Sequence, residues 1–329
     1  MSHKYNKFVT EEKWKEVNKY NKNIISDYVL ELKSQGKAEG TIYQYNNDLK
    51  IICIYILEQL DNKAFSQLKK KHFRNMVIYF QELGMSAARI NRIMSSVRTL
   101  LEFASNEDDY EDDFQVNYAA KVKGLNGETV REICFLSWEQ VEWLYTELLK
   151  RCKFQEALLL ALAIDSAGRK NELFQVKKSS ITENGEFTNE VIGKRGKKFR
   201  LKYNELTKEA FRYYMDWRGE DKLEDLWITK EANGEIRPVT TQTLYGWVRS
   251  WRGILNTEFD DIKGELNVHS LRHISLELYS TGEHYMCKRL NKKFELSELK
   301  LLAHHSDIST TDSYLKSKDE DLLLEAFAL

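Results

Sequence analysis

Proline is almost missing from this chain: Pro238 is the only one in 329 residues, and there are just 15 glycines. A sandwich or barrel of short strands needs turn residues at every corner, so this scarcity argues against an all-β fold and for helix. Cysteine is as sparse. Cys53, Cys134, Cys152 and Cys287 stand far apart with no CxxC pair, which indicates neither a zinc site nor a disulfide framework. Long apolar runs are absent too, the longest, Ala157 to Ile164, being far too short to span a bilayer. The start, Met1-Ser2-His3-Lys4, is polar and lacks the apolar core of a signal peptide. The cytoplasm is the expected compartment, and neither a metal nor a cofactor is expected.

Net charge is equally uninformative, because 50 Lys and Arg meet 51 Asp and Glu. Its distribution says more. Between Arg169 and Lys202 ten basic residues face four acidic ones, whereas Glu107 to Asp113 holds six acids in seven residues. Segregated charge of this kind makes a face that can bind a polyanion. With 42% hydrophobic and 31% charged residues, the chain suits a soluble globular protein of two domains.

The pattern predicts a mainly α protein. Residues 1–20 are polar and read as a flexible arm. Residues 21–118 read as a helical bundle. In it Ile25, Tyr28, Val29 and Leu32 share one stripe, and Ile90, Ile93, Met94, Val97, Leu100, Leu101 and Phe103 another. Thr41 to Leu60 and His72 to Leu83 supply two more helices, with Gly40-Thr41 and Gly84-Met85-Ser86 as turn and cap signals. Residues 119–134 read as a linker, and 135–329 as an α-rich second domain. Ser137 would cap its first helix, and Ala157 to Ile164, apolar all round, would lie buried at its centre. Glu186 to Ile192 and Phe199 to Tyr203 flank a Gly- and Lys-rich turn and read as a small antiparallel hairpin. From Thr207 onward the pattern is helical again.

The chemistry-bearing residues lie in this second domain. Arg169 follows a small-residue turn, Ala167-Gly168, with Glu172 three positions on. A planar guanidinium suits phosphate better than an ammonium does. The basic turn Gly193-Lys194-Arg195-Gly196-Lys197-Lys198 adds cations, although a charged hairpin tip is by default only solvated. His269 and Arg272 are one helical turn apart and can face one point. His304 and His305 are adjacent candidates for one role. Tyr314 is one of 17 tyrosines, and alone would more often be packing than nucleophile. Guanidinium, imidazole, ammonium and phenol together are what phosphate chemistry without a metal needs.

Three stretches carry a resemblance: Ser166-Ala167-Gly168-Arg169-Lys170-Asn171-Glu172-Leu173, His269-Ser270-Leu271-Arg272-His273, and Leu302-Ala303-His304-His305-Ser306-Asp307-Ile308-Ser309-Thr310-Thr311 with Tyr314. In order and type they resemble the signature boxes of tyrosine recombinases, the phage integrase family. Thr41-Ile42-Tyr43-Gln44-Tyr45 and the helix around Ile90 to Leu101 are similar to that family's helical core-binding domain. The resemblance implies an N-terminal core-binding bundle followed by a catalytic domain. It implies a site-specific recombinase in which Arg169 and Arg272 hold the scissile phosphate and His305 adds a hydrogen bond. His269 would assist proton transfer, Lys194 (alternatively Lys197) would protonate the leaving oxygen, and Tyr314 would attack phosphorus. The implied partners are double-stranded DNA and three further copies of the chain, a homo-tetramer on two DNA sites. Its C-terminal helix, Asp321 to Leu329, would pack in trans or in cis. Charge alone nominates Lys69, Lys70, Lys71, Arg89, Arg92, Lys197 and Lys198 as DNA contacts. A type IB topoisomerase-like relaxing enzyme and a non-catalytic DNA-binding protein of the same fold are the alternatives. Two departures stand out: Ala167 and His304 occupy positions where the family has glycine, and the interval from Arg272 to His305 is long, with Glu283 to Leu296 as the extra segment.

Overall fold

Apolar residues at three- and four-residue steps build the N-terminal half into helices. The computed structural model describes residues 8–127, 133–231, 233–260 and 262–305. The chain divides into two compact units, residues 1–129 and 130–329. In the first, α1 (Glu11–Glu16), α2 (Lys19–Ser34), α3 (Glu39–Gln59), α4 (Lys70–Glu82) and α5 (Ala87–Ala104) enclose a core. Ile24, Ile52, Phe73, Phe80, Ile90 and Val97 are fully buried in it. Ser86 caps α5 by accepting the amide hydrogen of Arg89. Gly40-Thr41 is not a cap: α3 begins before it, from Ala38, and both residues lie inside the helix.

Two polar segments pack more tightly than their composition suggests. Residues 11–16 form α1 rather than a loose arm, because Thr10 caps it through the amide of Lys13 and Val17 is buried. Asn18 binds the backbone of Asn62 and Lys63, which pins the start of α2. The acidic stretch 107–113 folds back onto α2: Tyr20 donates to Asp113 at 2.7 Å, and Tyr110 to Asp27. Residues 119–125 are likewise tied down. The Arg98 guanidinium donates to the carbonyls of Ala119 and Val122, and Asn91 exchanges two hydrogen bonds with Leu125. Much of the expected linker therefore belongs to the helical unit.

The second unit is organised around one apolar helix. Ser137 and Gln140 form a reciprocal capping box that starts α6 (Trp138–Lys150). Next comes α7 (Phe154–Ser166), buried on every side from Glu156 to Ser166, with α6 packed against it. The short α8 (Lys170–Phe174) leads to an antiparallel hairpin of β1 (Phe187–Ile192) and β2 (Lys198–Lys202), in register at Val191 with Phe199. Helix α9 (Glu205–Arg218) covers another face of α7. A second hairpin, β3 (Ile228–Lys230) with β4 (Ile236–Pro238), interrupts the helical pattern expected here. Its strands are three residues each, too short for alternation to register, and Pro238 closes one where no ladder amide is needed. Then follow α10 (Thr241–Leu255), α11 (Val268–Thr281) on a third side of α7, α12 (Tyr285–Leu290) and α13 (Leu296–Leu302). The fold is mainly α with small antiparallel sheets. Among the described residues, no helix is long and apolar enough to cross a membrane.

Because α7 is enclosed all round, a void in it cannot close by collapse onto solvent. Leu160→Ala should cost about 2–5 kcal/mol of the second unit's stability, read as a lower urea midpoint at unchanged slope.

Candidate active site

The turn after α7 is built from small residues. Ser166 Oγ donates to the Leu162 carbonyl at 2.5 Å and accepts from the Gly168 amide at 3.1 Å. Ala167 then takes a left-handed conformation, φ +50°. A Cβ on Gly168 would lie 2.9 Å from Leu173 Cδ2, so any side chain there would force the buried Leu173 to shift. This sharp reversal delivers Arg169 to the start of α8. Glu172 fixes it twice: its carboxylate accepts the Arg169 amide at 2.8 Å and Nη1 at 2.9 Å. Trp227, buried beside β3, donates to the Leu173 carbonyl at 2.8 Å and supports α8 from behind.

Arg272 arrives from α11 and is only 1% exposed. Its Nη1 donates to the Ala167 carbonyl at 2.5 Å, and its Nη2 to the Ala303 carbonyl at 2.5 Å. Nη2 also lies 2.6 Å from His305 Nε2. A guanidinium can only donate, so Nε2 is the acceptor and the His305 proton sits on Nδ1. The Glu172 carboxylate lies 3.9 Å from Arg272, which brings both guanidiniums to one anion. Arg169 keeps 27% of its side chain open to solvent. One cation is a buried brace, and the other is available to a ligand.

His269 opens the first turn of α11, where Asn267 caps its amide. Its outer edge is exposed. Burial of the rest of the ring, with His273, Arg272 and Arg169 close by, holds its pKa down at about 4. His304 and His305 part company. His305 meets Arg272. His304, left-handed at φ +53°, stacks on Phe199 of β2 with centroids 3.9 Å apart. The two family glycine positions, Ala167 and His304, thus keep the backbone that glycine would favour, at a cost of roughly 1–2 kcal/mol each.

The first hairpin joins this cluster. A Cβ on Gly193 would lie 3.3 Å from Glu172 Oε1, so the hairpin base sits beside the carboxylate. Lys194 is exposed in the short helical turn at the tip. Lys197 Nζ reaches the His304 carbonyl at 3.3 Å, and Lys198 pairs with Glu190. Tyr314 and the stretch 321–329, where a C-terminal helix is expected, lie outside the described residues.

Of the cations nominated in the first unit, Arg89 and Arg92 share one buried partner. Asp48, fully enclosed, accepts from Arg89 Nη1 at 2.6 Å and Arg92 Nε at 3.0 Å. Lys69, Lys70 and Lys71 are exposed at the start of α4, and Lys69 lies over the Tyr118 ring. Glu172 stands in the sequence only as an acid beside Arg169, with no role assigned to it. The available signal was its spacing, three residues after Arg169, which is that of a capping box.

Comparison with known proteins follows the same lines. The model of the phage integrase family matches residues 134–321, and that of the phage integrase N-terminal SAM-like domain matches 25–108. The SPbeta prophage-derived recombinase-like protein YomM of Bacillus subtilis (strain 168) is 22% identical over 325 residues, covering 94% of this chain and 91% of its own. Tyrosine recombinase XerD of Staphylococcus haemolyticus is 25% identical over 301 residues, covering 88% and 92%. Among solved structures, a lambda integrase (75–356) dimer bound to a COC′ core site superposes with a TM-score of 0.67 at 18% identity, over 89% of this chain and 94% of that one. A lambda integrase tetramer bound to a Holliday junction gives 0.67 at 18% identity, over 89% and 76%.

Glu172→Gln keeps the volume and removes the charge shared by both guanidiniums. It should cost about 1–3 kcal/mol, seen as a lower thermal midpoint. A pH effect follows from the histidines. Burial, then Arg272 and Arg169, holds His305 at about 3, and burial holds His284 at about 3. Both folded values lie below the unfolded ~6.5. Stability is then fully present above that pH and declines as pH falls toward 3, because the unfolded chain takes up protons that the folded one refuses. Urea midpoints between pH 7 and 5 should fall, and fall less steeply in His305→Gln.

Proposed function

This chain belongs to the phage integrase family, and from that membership we propose that it is a site-specific DNA recombinase working through a 3′-phosphotyrosyl link to Tyr314. The observation that carries this reading is the meeting of Arg169 and Arg272, remote in sequence, at the Glu172 carboxylate, with His305 against Arg272. A phosphodiester set against Arg169 would find a rigid cation, and the developing charge of a pentacoordinate phosphorus would be shared with Arg272 and His305. Losing one preorganised donor of this kind typically costs on the order of 3–4 kcal/mol in the transition state.

Tyrosine has a pKa near ~10 and is a poor nucleophile until its proton departs as the bond to phosphorus forms. His269, its pKa held down at about 4, is a neutral but weak base, and it is assigned to assist proton transfer from the phenol only as the bond to phosphorus forms. Lys194 on the hairpin tip is assigned as the acid for the leaving 5′-oxygen, with Lys197, which touches the His304 carbonyl, as the alternative. The phosphotyrosyl link conserves the phosphodiester's energy, so rejoining needs neither ATP nor a metal in this scheme.

The first unit is assigned to DNA binding, and residues 135–329 to catalysis. Lys69, Lys70 and Lys71 crowd three charges onto the amino end of α4, where the helix dipole already favours anions; DNA phosphates would relieve that repulsion. Arg89 and Arg92 present a pre-set pair, held by Asp48. Such contacts make affinity depend on salt. Lambda integrase is found as a dimer and a tetramer on DNA, and a cytoplasmic tetramer on two sites is the assembly assigned here, with the expected helix at 321–329 packing in trans or in cis.

Tyr314→Phe should abolish the covalent protein–DNA adduct formed on nicked DNA from the chain's own genomic flanks while leaving DNA affinity nearly unchanged. An adduct that persists would move the nucleophile elsewhere.

A further inference from the structure

Asp165 is a buried carboxylate that the proposed chemistry leaves unused. It is fully enclosed, one residue before the end of α7 and four before Arg169. Oδ2 accepts the amides of Asn204 and Thr207 at 3.0 and 3.2 Å and the Thr207 hydroxyl at 2.6 Å. Oδ1 accepts the hydroxyl of Tyr285 at 3.0 Å. The same Tyr285 oxygen accepts the Leu206 amide at 3.1 Å. One aspartate and one tyrosine therefore absorb amides at the start of α9 that no cap of its own satisfies. Burial pushes the Asp165 pKa up, while Thr207, Asn204 and Tyr285 pull it back.

Tyr285 does not come from α7 or α9. It heads α12, in the segment between Arg272 and His305. Its neighbour His284 is fully buried, stacked 3.9 Å from the Tyr279 ring, with Nε2 3.8 Å from Asp165 Oδ1. Tyr279 donates to the Asp165 carbonyl at 3.1 Å. The turn from Asp165 to Arg169 is thus gripped at its start and at its middle. Tyr285 and Thr207 hold the carboxylate that precedes it, and Arg272 holds the Ala167 carbonyl within it. For stability alone this is a poor device, since a buried charge is often replaced by apolar packing without loss. What a buried, directional network supplies is one fixed arrangement.

We propose that Asp165 and Tyr285 form a positioning pair that sets the direction in which Arg169 meets its anionic ligand, so that the segment 283–296 acts on the active site without touching substrate. The proposal rests on the reading of Arg169 as a phosphate-holding cation. Tyr285→Phe removes only the hydroxyl. It should weaken binding of a phosphate-like anion to the folded protein on the order of tenfold, as loss of an orienting partner does for metal ligands.

The test uses the full chain and inorganic vanadate, titrated by vanadium NMR, with thermal unfolding recorded in parallel. Arg169→Ala must abolish vanadate binding; if it does not, the phosphate reading itself fails. If Arg169→Ala abolishes binding while Tyr285→Phe, folded, binds as the wild type does, the positioning pair is refuted. A lower unfolding midpoint with unchanged vanadate affinity refutes it too, since that is a structural role only. Asp165→Asn combined with Tyr285→Phe should bind no more weakly than Asp165→Asn alone, because the hydroxyl acts through the carboxylate; additive losses would overturn the proposal. Thr207→Val, which strips a different donor from the same carboxylate, should reproduce the loss and stands in should either variant fail to fold.

Discussion

Arg272 is buried in the second unit, and three groups from two segments distant from it in sequence end on its nitrogens: the Ala167 carbonyl, and the Ala303 carbonyl with the His305 ring two residues on. A buried guanidinium without partners would be prohibitively costly, so each of these groups must stay where it is for the unit to fold. That requirement fixes the turn carrying Arg169, the end of α13 and the choice between two adjacent histidines. Glu172 extends the constraint, because its carboxylate faces both guanidiniums and balances part of their charge. The candidate site is thus one hydrogen-bonded knot. Its members differ in exposure, and the difference sorts the brace, Arg272, from the residue open to a ligand, Arg169.

The knot also explains two residues that look out of place. Ala167 and His304 are left-handed, a conformation glycine would adopt without strain. At each, the neighbouring carbonyl arrangement is kept and a side chain is added. Ala167 fills a fully buried space. His304 gains a stacked contact with Phe199 and turns its carbonyl toward Lys197. Strain of roughly 1–2 kcal/mol at each position is offset by packing, and the hairpin becomes attached to the segment that carries His305. Through that contact, and through Gly193 beside Glu172, the basic turn that carries Lys194 and Lys197 is attached to the site.

In the first unit charge is handled differently. Asp48 is enclosed, yet its two arginines remain partly open, so each keeps hydrogen-bonding edges directed by a fixed anchor. An arginine held in one rotamer loses less entropy on meeting a phosphate than a free one does. Lys69, at the cap of α4, lies over the Tyr118 ring, and Lys70 and Lys71 are exposed point charges on its first turn. Sequence-derived charge could nominate all five residues, but it could not show that two of them share Asp48, because Asp48 and Arg92 are far apart along the chain.

Helix placement was legible from the sequence because amphipathic periodicity is local: α2, α4 and α5 follow the stripes read from their own residues, and Ser86 and Ser137 cap where their spacing says. The short second hairpin and α1 were not, since three-residue strands and a polar helix carry almost no periodic signal. The sequence by itself determined the helical class, the buried α7 and the residue types of the site, because burial patterns and ordered boxes are written in consecutive residues. The resemblance had already named His305, but only the tertiary structure decided that its Nε2 meets Arg272 while His304 stacks on Phe199, that Glu172 faces both guanidiniums, and that Tyr285 reaches back to Asp165. Those outcomes depend on hydrogen-bond distances between segments that approach one another only after the chain has packed.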